Sequence, residues 1–474
     1  MFTPIDYSVL VVYFIIITFL GLWFGRKEKT TDDFFLGGRT IPWLAVCLSV
    51  LATEASAVTY IGAPAESFQS NCLYFQLAIG SFFGRLFIAF IFLPHFYQQK
   101  VTSIYEYLEH VFGISTRLTA VIFFFITRLL ASGVRLYVAA LALHVITQLP
   151  LVMTIVLVAG IALIYTYFGG IKAVIWTDVF QIVLFYGGAI CALVCIINKI
   201  PGGIQQVYTI SEHYDKLSFF NFKWNIYDGY TFIGGIIGGF FLTVAALGTD
   251  QDLTQRMLTC KNARAGKKAL IGTGILTFPI VLLFLFIGVC IFVFHKTNPS
   301  FMIPSNPNHI FPFIIVHILP QGISGLLLAG IFSAAMSSLD SALNSLSTSA
   351  VVDIYRSHIK KNESEAHYIF IARLFVVFFT IILIGIAYLC RNLGTILVMA
   401  FKITSYTYGG LLGIFLLGIL TKRGRGCGNI IAMTSSIVFV YCITSLFTIG
   451  FTWYVVMGAL WTCGIGALFR KQEQ

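Results

Sequence analysis

The stretch Ala334-Ala-Met-Ser-Ser-Leu-Asp-Ser-Ala-Leu-Asn-Ser345 sits inside an otherwise apolar run from Ile323 to Val352. At the helical 100° per residue, Ala334, Ser337, Ser338, Ser341 and Ser345 fall at about 0°, 300°, 40°, 340° and 20°. That is a stripe of hydroxyls along one face of a buried helix. Small residues let a neighbouring backbone come close, and several oxygens on one side replace part of the water shell of a small hard cation. Asp340, at about 240°, borders the stripe. A carboxylate is expensive inside a membrane helix, so it points to function rather than to helix packing alone.

Composition sets the class around this stretch. With 58% hydrophobic and 10% charged residues over 474 positions, an ordinary soluble globule is excluded. Apolar runs of about 18 residues or more recur nearly end to end, which implies a polytopic all-α membrane protein rather than a barrel of short alternating strands. The formal charge of +11 is carried mostly by loops between spans, so the expected partner is a lipid bilayer and not nucleic acid. Ten cysteines are scattered without disulfide or zinc spacing. Cys191 and Cys195, one turn apart, read as packing. No basic residue precedes the first apolar run and no cleavage site follows it, so it is read as a retained span.

Thirteen spans are expected, numbered 0 to 12, in a single transmembrane domain over residues 1–474. Span 0 covers about 7–25, repeat one about 42–198, repeat two about 229–420, and the extra spans about 428–469. Alternate loops hold 20 Lys and Arg on one side and 5 on the other. The positive-inside rule then puts the N-terminus outside and the C-terminus in the cytoplasm. The outer loop Lys199–Tyr227 is either a lid or surface padding. Asp250–Lys268 is read as a basic inner loop. A single copy would carry the whole pathway.

Span 1 is the second irregular helix. Its centre, Leu51-Ala-Thr-Glu-Ala-Ser-Ala-Val-Thr-Tyr60, has small and hydroxyl residues plus Glu54 where a lipid-facing helix would carry Leu and Ile. Such a segment suits a broken helix whose freed carbonyls line a cavity. Span 6, with Gly234-Gly235 and Gly238-Gly239, is expected to be similarly loose. Spans 1 and 6 are five apart, as in two five-span repeats whose interrupted helices hold a secondary transporter's site. Among the intramembrane charges, Arg128, Arg135 and Lys402 are expected to balance Glu54, Asp178 and Asp340, and Arg85 to snorkel.

In order along the chain, Ala52–Gly62, Trp176-Thr-Asp-Val-Phe-Gln181, Asp250-Gln-Asp-Leu-Thr-Gln-Arg256 and Ala334–Asn344 followed by Asp353-Ile-Tyr355 resemble the sodium:solute symporter family over about residues 5–470. The resemblance implies the leucine-transporter fold, with spans 1–5 and 6–10 as inverted repeats. It implies a primary sodium site between spans 1 and 8, held by the carbonyls of Ala52, Ala55 and Ala334 and the hydroxyls of Ser337 and Ser338. A second sodium in some members uses an aspartate at the position of Asp178 and span-8 hydroxyls. Here Ser341 matches, while Asp340 stands where Ser or Thr is usual, and whether it takes a cation, a proton or a base stays open.

The same resemblance places solute beside spans 1, 2, 3, 6 and 10. Glu54, Ser56 and Thr59 match solute-facing positions, Tyr74 and Gln76 are candidates in span 2, and Arg135 and Lys402 could hold an anion. In sialate-carrying relatives the binding arginine aligns with Ala131, one turn from Arg135. The function expected is a sodium-coupled symporter importing a small organic solute (sugar, carboxylate, amino acid or related) by alternating access. The alternative is a proton-coupled transporter of the same fold. A channel would need repeated filter elements such as TVGYG, and an intramembrane enzyme a motif such as HExxH; the sequence has neither. No chemical catalysis is implied.

Overall fold

The computed structural model describes residues 3–25, 30–55, 57–392, 396–421 and 423–469. Ser56 and the side chain of Lys402 lie outside the described residues. The described chain is helical. It begins with α1 (Pro4–Phe24), α2 (Thr31–Leu36), α3 (Trp43–Glu54) and α4 (Ala57–Gln69). Next come α5 (Phe75–Phe87), which runs through a π-helical turn into α6 (Leu93–Gln98), α7 (Ile104–Phe112), α8 (Ile114–Thr147) and α9 (Leu151–Asn198). Helix α10 (Gly203–His213) leads to α11 (Phe232–Gly248), α12 (Gln251–Leu258), α13 (Ala263–Thr297) and α14 (Pro307–His317). The remainder is α15 (Ile323–Ser349), α16 (Glu365–Leu389), α17 (Ile396–Leu420), α18 (Gly426–Leu446) and α19 (Tyr454–Leu468).

Nine described helices are long and apolar enough to cross a membrane, and eleven spans result if each sharply bent pair counts as one. The expected thirteen are not reached by that measure. Span 1 is divided into α3 and α4, whose 12 and 13 residues are each too short, and Leu151–Ile164 and Thr404–Leu420 are also short. Expected spans 4 and 5 are two helices within α9, broken at Gly170, whose backbone is non-helical. Its φ of +48° is a conformation that a side chain would strain.

The helix carrying the hydroxyl stripe is the hub. The apolar window of α15 is 94% buried, against 22% for α1, so almost none of it meets lipid. It packs on α1, α3, α8, α9, α12 and α16. Its N-terminus is tied down by Asp6, whose Oδ1 accepts from the backbone N–H of Gly322 at 2.8 Å and Gly325 at 2.9 Å. The other oxygen, Oδ2, closes the capping box of α1 on Thr3.

The paired glycines of span 6 do not loosen it, contrary to expectation. α11 runs unbroken through all four, because they serve close packing. A Cβ at Gly239 would stand 2.4 Å from the Leu77 carbonyl oxygen, and one at Gly80 would stand 2.1 Å from that of Ile236. The break comes later, at Thr249 and Asp250, where α11 and α12 meet at 65°. Asp250 caps α12 by accepting from the Asp252 N–H at 3.0 Å. What looked like the start of a basic loop is therefore a helix, and all eight of its residues are buried.

Nor is the outer loop free padding. Its Asn221 N–H donates to Gln76 Oε1 at 3.0 Å, and the Lys216 ammonium donates to the carbonyls of Phe68 at 2.7 Å and Ser70 at 2.8 Å. These bonds fasten the segment to the C-terminal end of α4 and the N-terminal end of α5.

Candidate ion and solute site

α3 stops at Glu54, and Ala55 has a non-helical ψ of 67°, so the last carbonyls of α3 lose their helical partners and turn outward. The hydroxyl stripe of α15 lies against this end. Ser338 Oγ donates to the Thr53 carbonyl at 3.2 Å and to the Ala334 carbonyl at 3.1 Å. Thr53 Oγ1 lies 3.2 Å from Ser337 Oγ and 3.5 Å from Ser341 Oγ. Ala52, Ala55, Ala334, Ser337 and Ser338 are all buried. Each hydroxyl that donates to a carbonyl keeps two lone pairs, so the contact offers several inward oxygens and little water, which is what a small hard cation requires.

The carboxylates beside it have a partner that sequence reasoning missed. Arg256, expected in a loop, is fully buried on α12. Its Nη2 donates to Asp178 Oδ2 at 2.9 Å and also to Ser341 Oγ. Its Nε donates to Ser49 Oγ at 2.7 Å, and Ser49 in turn donates to the same Asp178 oxygen at 2.6 Å. Asp340 Oδ1 accepts from the Ser341 N–H at 2.6 Å. The signal was available in the acid-to-base spacing of Asp252 and Arg256, four apart as on one helix face.

The expected charge balance is corrected for Glu54, Arg128 and Asp178. Glu54 pairs with Arg85, which donates to both carboxylate oxygens at 2.8 and 2.7 Å and is 2% exposed rather than snorkelling. Arg128 pairs with Asp250 and, at 2.8 Å, with Asp252. Tyr408 OH donates to Asp250 at 2.8 Å. Arg135 forms no ion pair among the described residues.

A cavity of about 240 Å³ opens between α3, α4, α5, α8, α11, α13 and α17. Glu54, Thr59, Tyr74, Arg128, Ala131 and Arg135 line it, together with apolar side chains such as Leu77 and Leu242. Ala55, at the helix break where α3 meets the hydroxyl stripe, also belongs to this wall. Gln76 does not line the cavity. Its amide donates to the carbonyls of Leu73 at 3.1 Å and Tyr230 at 2.9 Å, and it is wholly buried in helix packing.

Two interrupted helices, an oxygen-rich contact at one break and a polar-edged cavity beside it define a secondary transporter. The sequence matches the sodium:solute symporter family over residues 34–438, and the chain belongs to that family. It is 32% identical to the sodium/sialic acid symporter SiaT of Proteus mirabilis (strain HI4320), over 96% of this chain and 92% of that one. It is 30% identical to sodium-coupled monocarboxylate transporter 1 of Xenopus laevis, over 92% of this chain and 71% of the relative. A solved Na+-coupled sialic acid symporter in a substrate-bound outward-open state superposes with a TM-score of 0.92 at 31% identity, each chain covered fully. A nucleobase-cation-symport-1 family transporter in a closed conformation superposes with a TM-score of 0.63 at 13% identity, over 93% of this chain and 94% of that one, and shows the shared fold alone. The protein is a multi-pass sodium:solute symporter of the leucine-transporter fold.

Proposed function

We propose that the solute is a compact organic anion whose carboxylate is held by Arg135, and that sodium binds where α3 breaks against α15. The observation that carries the first part is the charge census of the cavity wall. Glu54 is neutralised by Arg85 and Arg128 by two aspartates, which leaves the Arg135 guanidinium as the charge without an acid among the described residues. A partly buried guanidinium without a counter-ion favours an anionic guest that supplies one. Thr59 and Tyr74 offer polar contacts, and the apolar wall suits a short carbon body. Relatives named for sialic acid and for monocarboxylates share this chemistry.

Sodium would be held by the carbonyls of Ala52, Ala55 and Ala334 and the hydroxyls of Ser337 and Ser338. Bound there, it fixes the broken segment that also forms the cavity wall, so sodium and solute each favour the other's binding. The cycle makes and breaks no covalent bond. The whole chain acts as one transport domain, with repeats at about 42–198 and 229–420.

The deciding experiment is uptake into proteoliposomes under an inward sodium gradient, with a short monocarboxylate, sialate and the amide of the same monocarboxylate as competitors. Carboxylates should compete and the amide should not. Equal competition by the amide or by a neutral sugar would reject the anion.

The N-terminus is placed outside and the C-terminus inside on the loop charge count. In a Cys442→Ser background, Cys427, exposed at the start of α18, should resist an impermeant maleimide in intact cells and react after permeabilisation. A Gln205→Cys variant on α10 should react from outside. Cys260 will not interfere, because burial pushes its thiol pKa up to about 12. The reverse labelling pattern would invert the orientation.

A further inference from the structure

We propose that Arg256 is a tethered cation that competes with a transported cation for Asp178 and Ser341, and that its displacement reports ion occupancy to the solute cavity through Asp252 and Arg128. The inference rests on the sodium assignment above. Its starting point is where the guanidinium sits. It touches Ser49 of α3, Asp178 of α9 and Ser341 of α15, the three helices that meet beside the proposed sodium contact. Ser341 Oγ also donates to the Ser337 carbonyl, and Thr53 Oγ1, hydrogen-bonded to the Ser337 and Ser341 hydroxyls, donates to the Ser49 carbonyl at 3.0 Å. Arg256 is thus one side chain removed from the ion.

A second, independent observation shows that the site is only half satisfied. Asp178 is fully buried, yet only Oδ2 is bonded; Oδ1 has no hydrogen-bond partner. A buried carboxylate oxygen left alone is costly, and a cation or donor is what it lacks. The surrounding formal charge points the same way. Ion pairs join Asp178, Asp252 and Asp250 to Arg256 and Arg128, three acids to two bases. An excess of buried negative charge draws monovalent cations, and a guanidinium on a flexible stem can yield its place to one.

The consequence of yielding is set by the rest of the cluster. Arg256 Nη1 is 3.3 Å from Asp252 Oδ1, while the other oxygen of Asp252 is 2.8 Å from Arg128 Nη1. Arg128 and Tyr408 line the cavity. A guanidinium driven off Asp178 therefore moves towards Asp252 and competes there with Arg128. Because Asp252 belongs to α12, beyond the 65° bend, the exchange also loads the hinge of span 6. Ion occupancy and the inner wall of the solute site share one carboxylate.

The test is equilibrium binding of radioactive sodium, with the sodium dependence of thermal stability, on the purified full-length protein. Wild type, Arg256→Gln, Arg256→Lys and the double variant Arg256→Gln/Asp178→Asn are compared. Removing the competitor should lower the sodium concentration for half-saturation by roughly threefold or more and add one bound ion relative to the double variant. Arg256→Lys keeps the charge but loses the fork across Ser49 and Asp178, so it should be displaced more easily and shift the isotherm the same way, by less. That variant decides the matter should Arg256→Gln fail to fold. Isotherms of the single variants that superpose on the wild type would show Arg256 to be a fixed cross-link and overturn the proposal. Failure of the primary sodium assignment would look different, since the Ser337→Ala/Ser338→Ala variant would then keep the wild-type isotherm.

Discussion

Arg135→Gln is expected to raise the solute concentration for half-maximal uptake by roughly tenfold to 150-fold, the equivalent of the about 1.5–3 kcal/mol carried by a hydrogen-bonded charge. The argument is one of compensation. Every other described charge on the cavity wall has its partner built in: Glu54 with Arg85, and Arg128 with Asp250 and Asp252. Arg135 obtains its partner only when solute arrives, so its removal weakens solute binding while the sodium contact, on α3 and α15, is untouched. The sodium concentration for half-activation, measured at saturating solute, should change little. The same change should relax discrimination between a carboxylate and its amide, because the charge that tells them apart has gone. An unaltered preference for the carboxylate in Arg135→Gln proteoliposomes would show that the anion is held elsewhere.

The second large effect is expected from Ser337→Ala/Ser338→Ala. Two of the five proposed ligands disappear, and the Ser338 bond to the Thr53 carbonyl at 3.2 Å is lost with them. Sodium activation should weaken by on the order of tenfold or more. Solute selectivity should hold, because neither serine lines the cavity. Thermal stability without sodium should fall only modestly, whereas the stabilisation produced by adding sodium should largely vanish. Uptake with unchanged sodium dependence would remove these hydroxyls from the ion site. The two variants thus separate the sites: one moves the solute curve, the other the sodium curve, and thermodynamic coupling appears as a smaller reciprocal shift in each.

The line between what could be read locally and what could not is visible in span 6. Its four glycines suggested looseness, but whether a glycine loosens a helix or lets another helix approach depends on what stands opposite. Here Gln76, the Leu77 carbonyl and Thr452 stand opposite, and α11 is regular. The true break at Thr249 and Asp250 carried a capping signal, an aspartate ahead of a helix with Asp252 and Arg256 four apart. That signal was outweighed by the polarity of the segment, which resembles a loop until the surrounding helices are present to bury and satisfy it. Gln255, for example, is satisfied by the Phe35 carbonyl at 2.6 Å and Thr348 Oγ1 at 3.1 Å, both far away in sequence.

By itself, the sequence determined that this is an all-helical membrane protein with a hydroxyl stripe along one buried helix and a second, irregular helix. Those properties follow from composition and from a periodicity of 3.6 residues, both of which are local and survive without knowledge of neighbours. Only the tertiary structure decided which base meets which acid. Buried charges in one chain can be paired in many ways that local sequence does not distinguish, and a membrane interior makes each correct pairing matter. Ser49 and Arg256, joined at 2.7 Å, are 207 positions apart, and Arg128 and Asp250 are 122 apart. The bend at Asp250 carries α12 into the interior, and Arg256 of that helix, rather than Arg128 or Arg135, meets Asp178.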